Sequence, residues 1–305
     1  MLATARERAL DLGYAAGWGA VKYAPADLSR RAFRRVGDIA AARNGPGTRQ
    51  LRKNLRRVVG AEVAEPELDR LVNAALRSYS RYWLETFRLP RMDKREVAAE
   101  LEANTVGGEH IDAGLAAGKG VVLALPHMGN WDASGIWLVS RSGPFVTVAE
   151  RLKPESLFER FVAYRESLGF EVHALGNGAP SPTAALTAGL AANKVVCLLA
   201  DRDLSRNGVE VSFFGETTKM PPGPALLGAT TGAVVLPVGL WFTEDGWAHR
   251  IHPPLDVPGG RLRDKVQAIT QQLATVFEGE IAEHPADWHM LQKFWLADLA
   301  NPAAE

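Results

Sequence analysis

The run Val121-Val-Leu-Ala-Leu-Pro-His-Met-Gly-Asn-Trp-Asp132 brings a histidine out of a short apolar segment and sets a carboxylate five positions beyond it. Histidine suits the removal of a proton from a hydroxyl at neutral pH, because its unperturbed pKa of about 6.5 leaves it mostly neutral. A carboxylate beside the ring fixes its tautomer and stabilises the imidazolium once formed. His127 and Asp132 therefore read as a general base and its orienting acid, with the nucleophilic hydroxyl supplied by a substrate that attacks a thioester. Side chains five apart on a regular helix diverge by about 140°. The two can meet only if His127 lies in a turn and Asp132 in the first turn of a helix. Pro126 closing the apolar run and Met128-Gly-Asn130 bending before Trp131 favour that placement. A helix starting there would also offer free backbone amides to a developing oxyanion. A hydrogen-bonded structural histidine would share the same pattern.

The elements that must hold these residues change character along the chain. The first hundred residues read as helical. Between Pro66 and Leu89 the apolar positions Leu68, Leu71, Val72, Ala75, Leu76, Tyr79, Tyr82, Trp83 and Phe87 recur every three or four residues, with Pro90 just beyond. This aromatic stripe reads as core packing rather than a ligand cage. From about residue 108, strands alternate with helices. The spacing predicts strands at 121–126, 144–149, 171–175, 195–200 and 234–239, and helices near 109–117, 131–141, 154–168, 182–192, 222–231 and 262–283. Runs such as Val-Val-Leu-Ala-Leu, Val-Val-Cys-Leu-Leu and Val-Val-Leu-Pro-Val lack strict alternation, which fits strands covered on both faces. The expectation is an α/β fold: a mostly parallel central sheet with helices on both faces and a helical N-terminal region. At 305 residues it is taken as one catalytic domain, with residues 1–105 helical and membrane-facing and 106–300 the core. Active residues belong at strand C-terminal ends, where His127, Glu150 and Asp201 all fall.

A net charge of zero hides an asymmetry. Residues 1–60 carry thirteen Lys or Arg against four acids, so the remaining 245 are acidic by the same net nine charges. The basic positions are interleaved with Leu10, Tyr14, Trp18, Val21, Tyr23, Leu28 and Phe33. Apolar insertion and attraction to anionic headgroups would add together in such a segment, so it reads as a membrane-surface contact. A solvated basic face or a site for a phosphate-rich ligand would have a similar composition. Nucleic acid is disfavoured, since the rest of the chain is acidic and carries no recognition motif. The longest nearly apolar run, Gly232 to Phe242, is too short for a bilayer span, and the N-terminus lacks the apolar core of a secretory signal. The single cysteine, Cys197, sits in an apolar run and reads as a small buried hydrophobe of a reducing compartment.

Other chemistries fit less well. There is no His-Glu-x-x-His, and the seven histidines form no pair at metal-ligand spacing. No Gly-x-Ser-x-Gly follows a strand, and no glycine-rich loop ends in Gly-Lys-Ser or Gly-Lys-Thr.

Four blocks carry a family resemblance over roughly residues 105–298. They are Leu125-Pro-His-Met-Gly-Asn-Trp-Asp132; Ala149-Glu-Arg-Leu-Lys-Pro-Glu155 with Arg165; Leu199-Ala-Asp-Arg-Asp-Leu204 leading to Val211-Ser-Phe-Phe-Gly-Glu216; and His284-Pro-Ala-Asp-Trp-His289. In these the chain resembles the bacterial lipid A biosynthesis acyltransferases, within the lysophospholipid acyltransferase superfamily marked by His-x4-Asp. The resemblance implies an acyl-thioester donor, a hydroxyl on a membrane glycolipid as acceptor, no metal and no cofactor, acyl-CoA being a co-substrate. It implies that His127 is the general base and Asp132 its partner, that Glu150 and Arg165 shape the acceptor site, and that Asp201, Arg202 and Asp203 also bind substrate. It is closest to members acting on mannosylated phosphatidylinositol, which implies palmitoyl-CoA as donor and the 6-hydroxyl of a mannose as acceptor. Glu150 stands where the lipid A enzymes commonly place a basic residue, and an acid there suits uncharged sugar hydroxyls. The resemblance also implies a peripheral position on the cytoplasmic face of the cell membrane. Two other readings stay open: a lysophospholipid or lipid A-like acceptor, and a non-catalytic lipid-binding protein that keeps the fold. Arg165 could instead pair with an acid, the 201–203 cluster could be a solvated turn, and Trp288-His289 reads as packing.

Overall fold

The computed structural model describes residues 17, 19, 21–151, 155–175, 182–203 and 207–299. Leu10, Tyr14 and Trp18 of the basic segment, and Leu152 to Pro154 and Leu204 of the resemblance blocks, lie outside the described residues.

After a helical stretch that includes residues 21–23 come four helices: α1 (Ala26–Arg43), α2 (Pro46–Val59), α3 (Glu65–Arg88) and α4 (Lys94–Ala103). The long apolar period of α3 produces its boundaries as expected. Pro66 occupies the first turn, where a missing N–H costs nothing; Glu65 and Glu67 face the positive helix end and Arg88 the negative one. Leu68, Val72, Ala75 and Leu76 of α3 join Leu51 and Leu55 of α2 in a small core of their own. Each such leucine contributes roughly 1.5–3 kcal/mol by leaving water.

The larger core surrounds a sheet of seven strands. In chain order these are β1 (Thr105–Val106), then α5 (Glu109–Ala116), β2 (Val121–Leu125), α6 (Trp131–Ser142), β3 (Val146–Glu150), α7 (Glu155–Leu168), β4 (Glu171–Leu175), α8 (Pro182–Ala191) and β5 (Val195–Leu199). A separate hairpin follows, β6 (Val209–Phe213) and β7 (Glu216–Met220), then α9 (Gly223–Thr231), β8 (Val234–Phe242), β9 (Trp247–Ile251), α10 (Leu262–Glu283) and the short α11 (Leu296–Leu299). The spatial order is β1-β9-β8-β2-β5-β3-β4, parallel throughout except where β8 meets β9. All five residues of β2 are buried, as its unbroken apolar run requires of a strand covered on both faces.

The expected α/β architecture is therefore present, with corrections at its edges. Strand β9 and the β6–β7 hairpin have no counterpart in the sequence reading. Trp247-Ala-His-Arg-Ile mixes polar and apolar residues on a strand next to the sheet edge, and the hairpin strands are partly exposed. Neither gives the continuous apolar run of a central parallel strand. Among the described residues no helix is long and apolar enough to cross a membrane.

Candidate active site

Strands β2 and β5 pair in parallel with Leu125 opposite Leu199, and each chain then runs two residues past its strand. Neighbouring strands lie about 4.8 Å apart. The matched offsets therefore set His127 and Asp201 side by side at the C-terminal edge of the sheet. Asp201, fully buried, accepts from His127 Nδ1 at 2.5 Å through Oδ1 and from the His127 backbone N–H at 3.0 Å through Oδ2. The imidazole itself is about one-third exposed, so Nδ1 is held and Nε2 is left toward the open side. Burial pushes the Asp201 carboxyl up, but the charge of His127 and the N–H bonds outweigh it and keep the group below the ordinary carboxylate range.

This corrects the first reading of the pair. The carboxylate bonded to His127 Nδ1 comes from a strand end 74 residues later, while Asp132 bonds to Arg165 and Tyr82. Helix α6 does start at Trp131, capped by the Asn130 side chain accepting from the Ala133 N–H at 3.0 Å. That puts Asp132 in the first turn, facing inward. It is fully buried, accepts from Arg165 Nε at 3.2 Å and from the Tyr82 hydroxyl at 3.4 Å, and burial raises its carboxyl above the ordinary value despite the Arg165 charge. Arg165 in turn lies over the Trp131 ring, 4.0 Å from its centre. The ion pair thus fastens α7 to the start of α6 and, through Tyr82, to α3.

His127, Trp131, Glu150, Arg165 and Arg202 share one cavity. Its walls are apolar: Leu123 and Leu125 of β2, Cys197 and Leu199 of β5, Ala149 of β3 and Leu138 of α6. Several of these alternate along paired strands, with Leu123 opposite Cys197 and Leu125 opposite Leu199, so they line one face of the sheet beneath α6. At the β9 side His249 is buried between Thr105 and Ser134, with its edge on Trp137, and burial followed by the Arg141 charge lowers its pKa to about 3. It is an uncharged wall. Arg202 approaches Glu150 to 3.8 Å, and its Nε is buried with no hydrogen-bond partner among the described residues. Asp203 does not line this cavity: it accepts from the Gly208 N–H at 2.8 Å and lines a neighbouring groove that Arg202 also borders. Burial also pushes the Cys197 thiol far up, away from nucleophilic use. Among the described residues no group of three or more His, Cys, Asp or Glu could hold a metal ion.

The turn carrying His127 is stitched to the segment after α10. Met128 and Trp288 form an antiparallel bridge, in which His289 N–H donates to the His127 carbonyl at 2.8 Å and Gly129 N–H to the Asp287 carbonyl at 2.9 Å. Gly129 has a φ of 58°, and a Cβ there would lie 2.8 Å from the Leu240 backbone, so only glycine allows this approach. Trp288 is fully buried and donates its indole N–H to Asp201 Oδ2 at 3.1 Å. His289 Nε2 lies 2.9 Å from the Ser78 hydroxyl, which donates to Asp287 at 2.6 Å. Burial, then the His127 charge, lowers the His289 pKa to about 3, so this second imidazole stays neutral. Trp288 and His289 pack here as the sequence suggests, and their ring nitrogens also reach Asp201 and Ser78.

Chemically, the arrangement is an imidazole bonded to a buried carboxylate, on an apolar cavity whose lining also includes two guanidinium groups and one further carboxylate. The sequence profile of the bacterial lipid A biosynthesis acyltransferases matches residues 4–297, so the chain belongs to that family, and the match extends beyond the four blocks through the N-terminal helices. The chain is 55% identical over 293 residues to the phosphatidylinositol mannoside acyltransferase of Mycobacterium tuberculosis (strain CDC 1551 / Oshkosh), covering 96% of this chain and 90% of that one. It is 53% identical over 291 residues to the protein of the same name from Mycolicibacterium smegmatis, covering 95% and 93%. To the lipid A biosynthesis acyltransferase of Haemophilus influenzae it is 28% identical over 155 residues, about half of each chain (50% and 48%). The protein is a lipid acyltransferase.

Proposed function

We propose that the chain moves a palmitoyl group from palmitoyl-CoA to the 6-hydroxyl of a mannose in phosphatidylinositol mannosides, with His127 as general base. The observation that carries the reading is the His127 imidazole at the mouth of an apolar cavity, its Nδ1 held by buried Asp201 and its Nε2 left to take a proton. The names of the 53–55% identical relatives support the acceptor.

In this scheme His127 Nε2 accepts the proton of the mannose hydroxyl as that oxygen bonds to the thioester carbon. Asp201 stabilises the imidazolium. Backbone amides at the start of α6, or the cations at the mouth, stabilise the oxyanion. The carbon–sulfur bond then breaks and the thiolate of CoA collects the proton from His127, so no covalent enzyme intermediate is needed. The acyl chain lies along the apolar face beneath α6, while Glu150 accepts from sugar hydroxyls and Arg202 donates to the substrate. Neither a metal nor a cofactor takes part.

The site belongs on the cytoplasmic face of the membrane, attached peripherally. Helix α1 exposes Leu28, Val36 and Ile39, each about half or more accessible, beside Arg31, Arg35 and Arg43. That combination suits an anionic bilayer surface. The deciding experiment is release of free CoA from palmitoyl-CoA with and without phosphatidylinositol mannoside, for wild type and His127→Ala. Release that depends on acceptor and vanishes in the folded variant supports the proposal. Release indifferent to acceptor points instead to a thioesterase or another lipid acceptor, and release indifferent to His127 removes the base.

A further inference from the structure

We infer that Trp288 is a positioning residue for the reaction: its indole N–H shares Asp201 Oδ2 with the His127 backbone amide, leaving Oδ1 to the His127 ring. The inference rests on His127 acting as the base. A carboxylate has two oxygens and can rotate, so holding one of them on two N–H donors fixes the direction in which the other points. Trp288 is doubly placed for this. Its backbone pairs with Met128, next to the histidine, while its side chain reaches the histidine's acid. One residue therefore sets the spacing of both partners. The ring is fully buried and touches Phe213, Phe294 and Trp295, so it is packed too tightly to swing away.

Losing the indole donor leaves the Asp201 charge less satisfied, and the His127–Asp201 pair then retains its shared proton to higher pH. The other ionisable groups around the pair are Glu150, Arg165 and Arg202 on the cavity wall, Asp132 behind Arg165, and His289 with Asp287 on the clamping segment. Trp288→Phe changes none of them. Trp295 supplies a matched control: it lies in the same aromatic cluster, is equally buried, and donates its indole N–H to the Phe213 carbonyl at 3.0 Å, not to Asp201.

The test compares the pH dependence of kcat/KM for wild type, W288F and W295F in the full chain. The expected result for W288F is an acid limb moved up by about one pH unit, the scale on which a charge-assisted hydrogen bond acts on a buried carboxylate. Its kcat should fall about tenfold with KM little changed, while W295F keeps the wild-type profile whatever stability it loses. A W288F profile that coincides with that of W295F would overturn the inference. Should W288F not fold, wild type labelled at its indole nitrogens serves instead. One of its eight indole protons should move with the acid-limb midpoint and lose its downfield displacement in Asp201→Asn; indole protons indifferent to that substitution would also overturn it. An active His127→Ala variant would remove the underlying reading, whereas an inactive one with an unmoved W288F profile would remove only the role of Trp288.

Discussion

Two carboxylates next to the histidine turn are completely buried, yet their surroundings drive them in opposite directions. Asp201 lies at the C-terminal end of central strand β5, accepts three N–H bonds, the shortest at 2.5 Å, and is held below the ordinary carboxylate range. Asp132 lies between helices α3, α6 and α7, accepts from Arg165 and Tyr82 at 3.2 and 3.4 Å, and is raised by burial. Burial alone therefore does not decide the state of a carboxylate; whether the neighbouring charge and the hydrogen bonds outweigh it does, as they do at Asp201 and not at Asp132. The Asp201 side is built to hold an anion beside the His127 imidazole. The Asp132 side is built to lock three helices together and to keep Arg165 and Trp131 at the cavity mouth.

The contrast can be broken most severely at the histidine. His127→Ala should lower acceptor-dependent CoA release by about a thousandfold, within the range of general-base contributions, with its unfolding curve close to wild type. Next in size is the pair Asp201→Asn against Asp132→Asn. The first should cost about a hundredfold or more in kcat, because an amide can hold the imidazole in the wrong tautomer. The second should instead lower stability by about 3 kcal/mol, as the buried Arg165 loses its counter-charge, while the folded enzyme keeps the wild-type pH profile. Denaturant unfolding beside kinetics on both variants separates the two. If the pH profile of D132N changes as that of D201N does, Asp132 belongs to the chemistry and the comparison fails.

Acid stability gives a third test. Because the native Asp201 carboxyl is depressed, its contribution is present above the unfolded value of about 3.9 and is lost as pH falls through the native value. Wild type should thus lose stability more steeply than D201N on acidification below about pH 4, measured by unfolding at stepped pH. A parallel loss in both would mean that Asp201 is not held as an anion. The smallest effects are expected at Tyr82 and Cys197. Tyr82→Phe removes one long hydrogen bond to Asp132 and should cost about 1 kcal/mol of stability with little change in kcat. Cys197→Ser should keep most activity, since the thiol is partly buried and held protonated and the scheme uses no enzyme nucleophile. A large kcat loss in a folded C197S enzyme would require a covalent step.

By itself, the chain determined what depends on local pattern. Unbroken apolar runs produced β2, β5 and β8, the three-and-four spacing produced α3, and a proline followed by a glycine-containing turn produced the break after β2 and the helix at Trp131. It also placed His127, Glu150 and Asp201 at strand ends. Its reading of Asp132 as the partner of His127 used the only distance a sequence displays, which is separation along the chain. The partner was decided by strand pairing: β5 lies beside β2 with Leu199 opposite Leu125, and equal two-residue offsets then bring Asp201 to the histidine. The same holds for Trp288, brought to Asp201 by a bridge to Met128 across about half of the chain, and for Ser78 and Tyr82, whose helix reads as core yet reaches His289 and Asp132. Periodicity reports which face of an element is buried. Which residues meet there is decided by the register between elements, and that exists only once the sheet has formed.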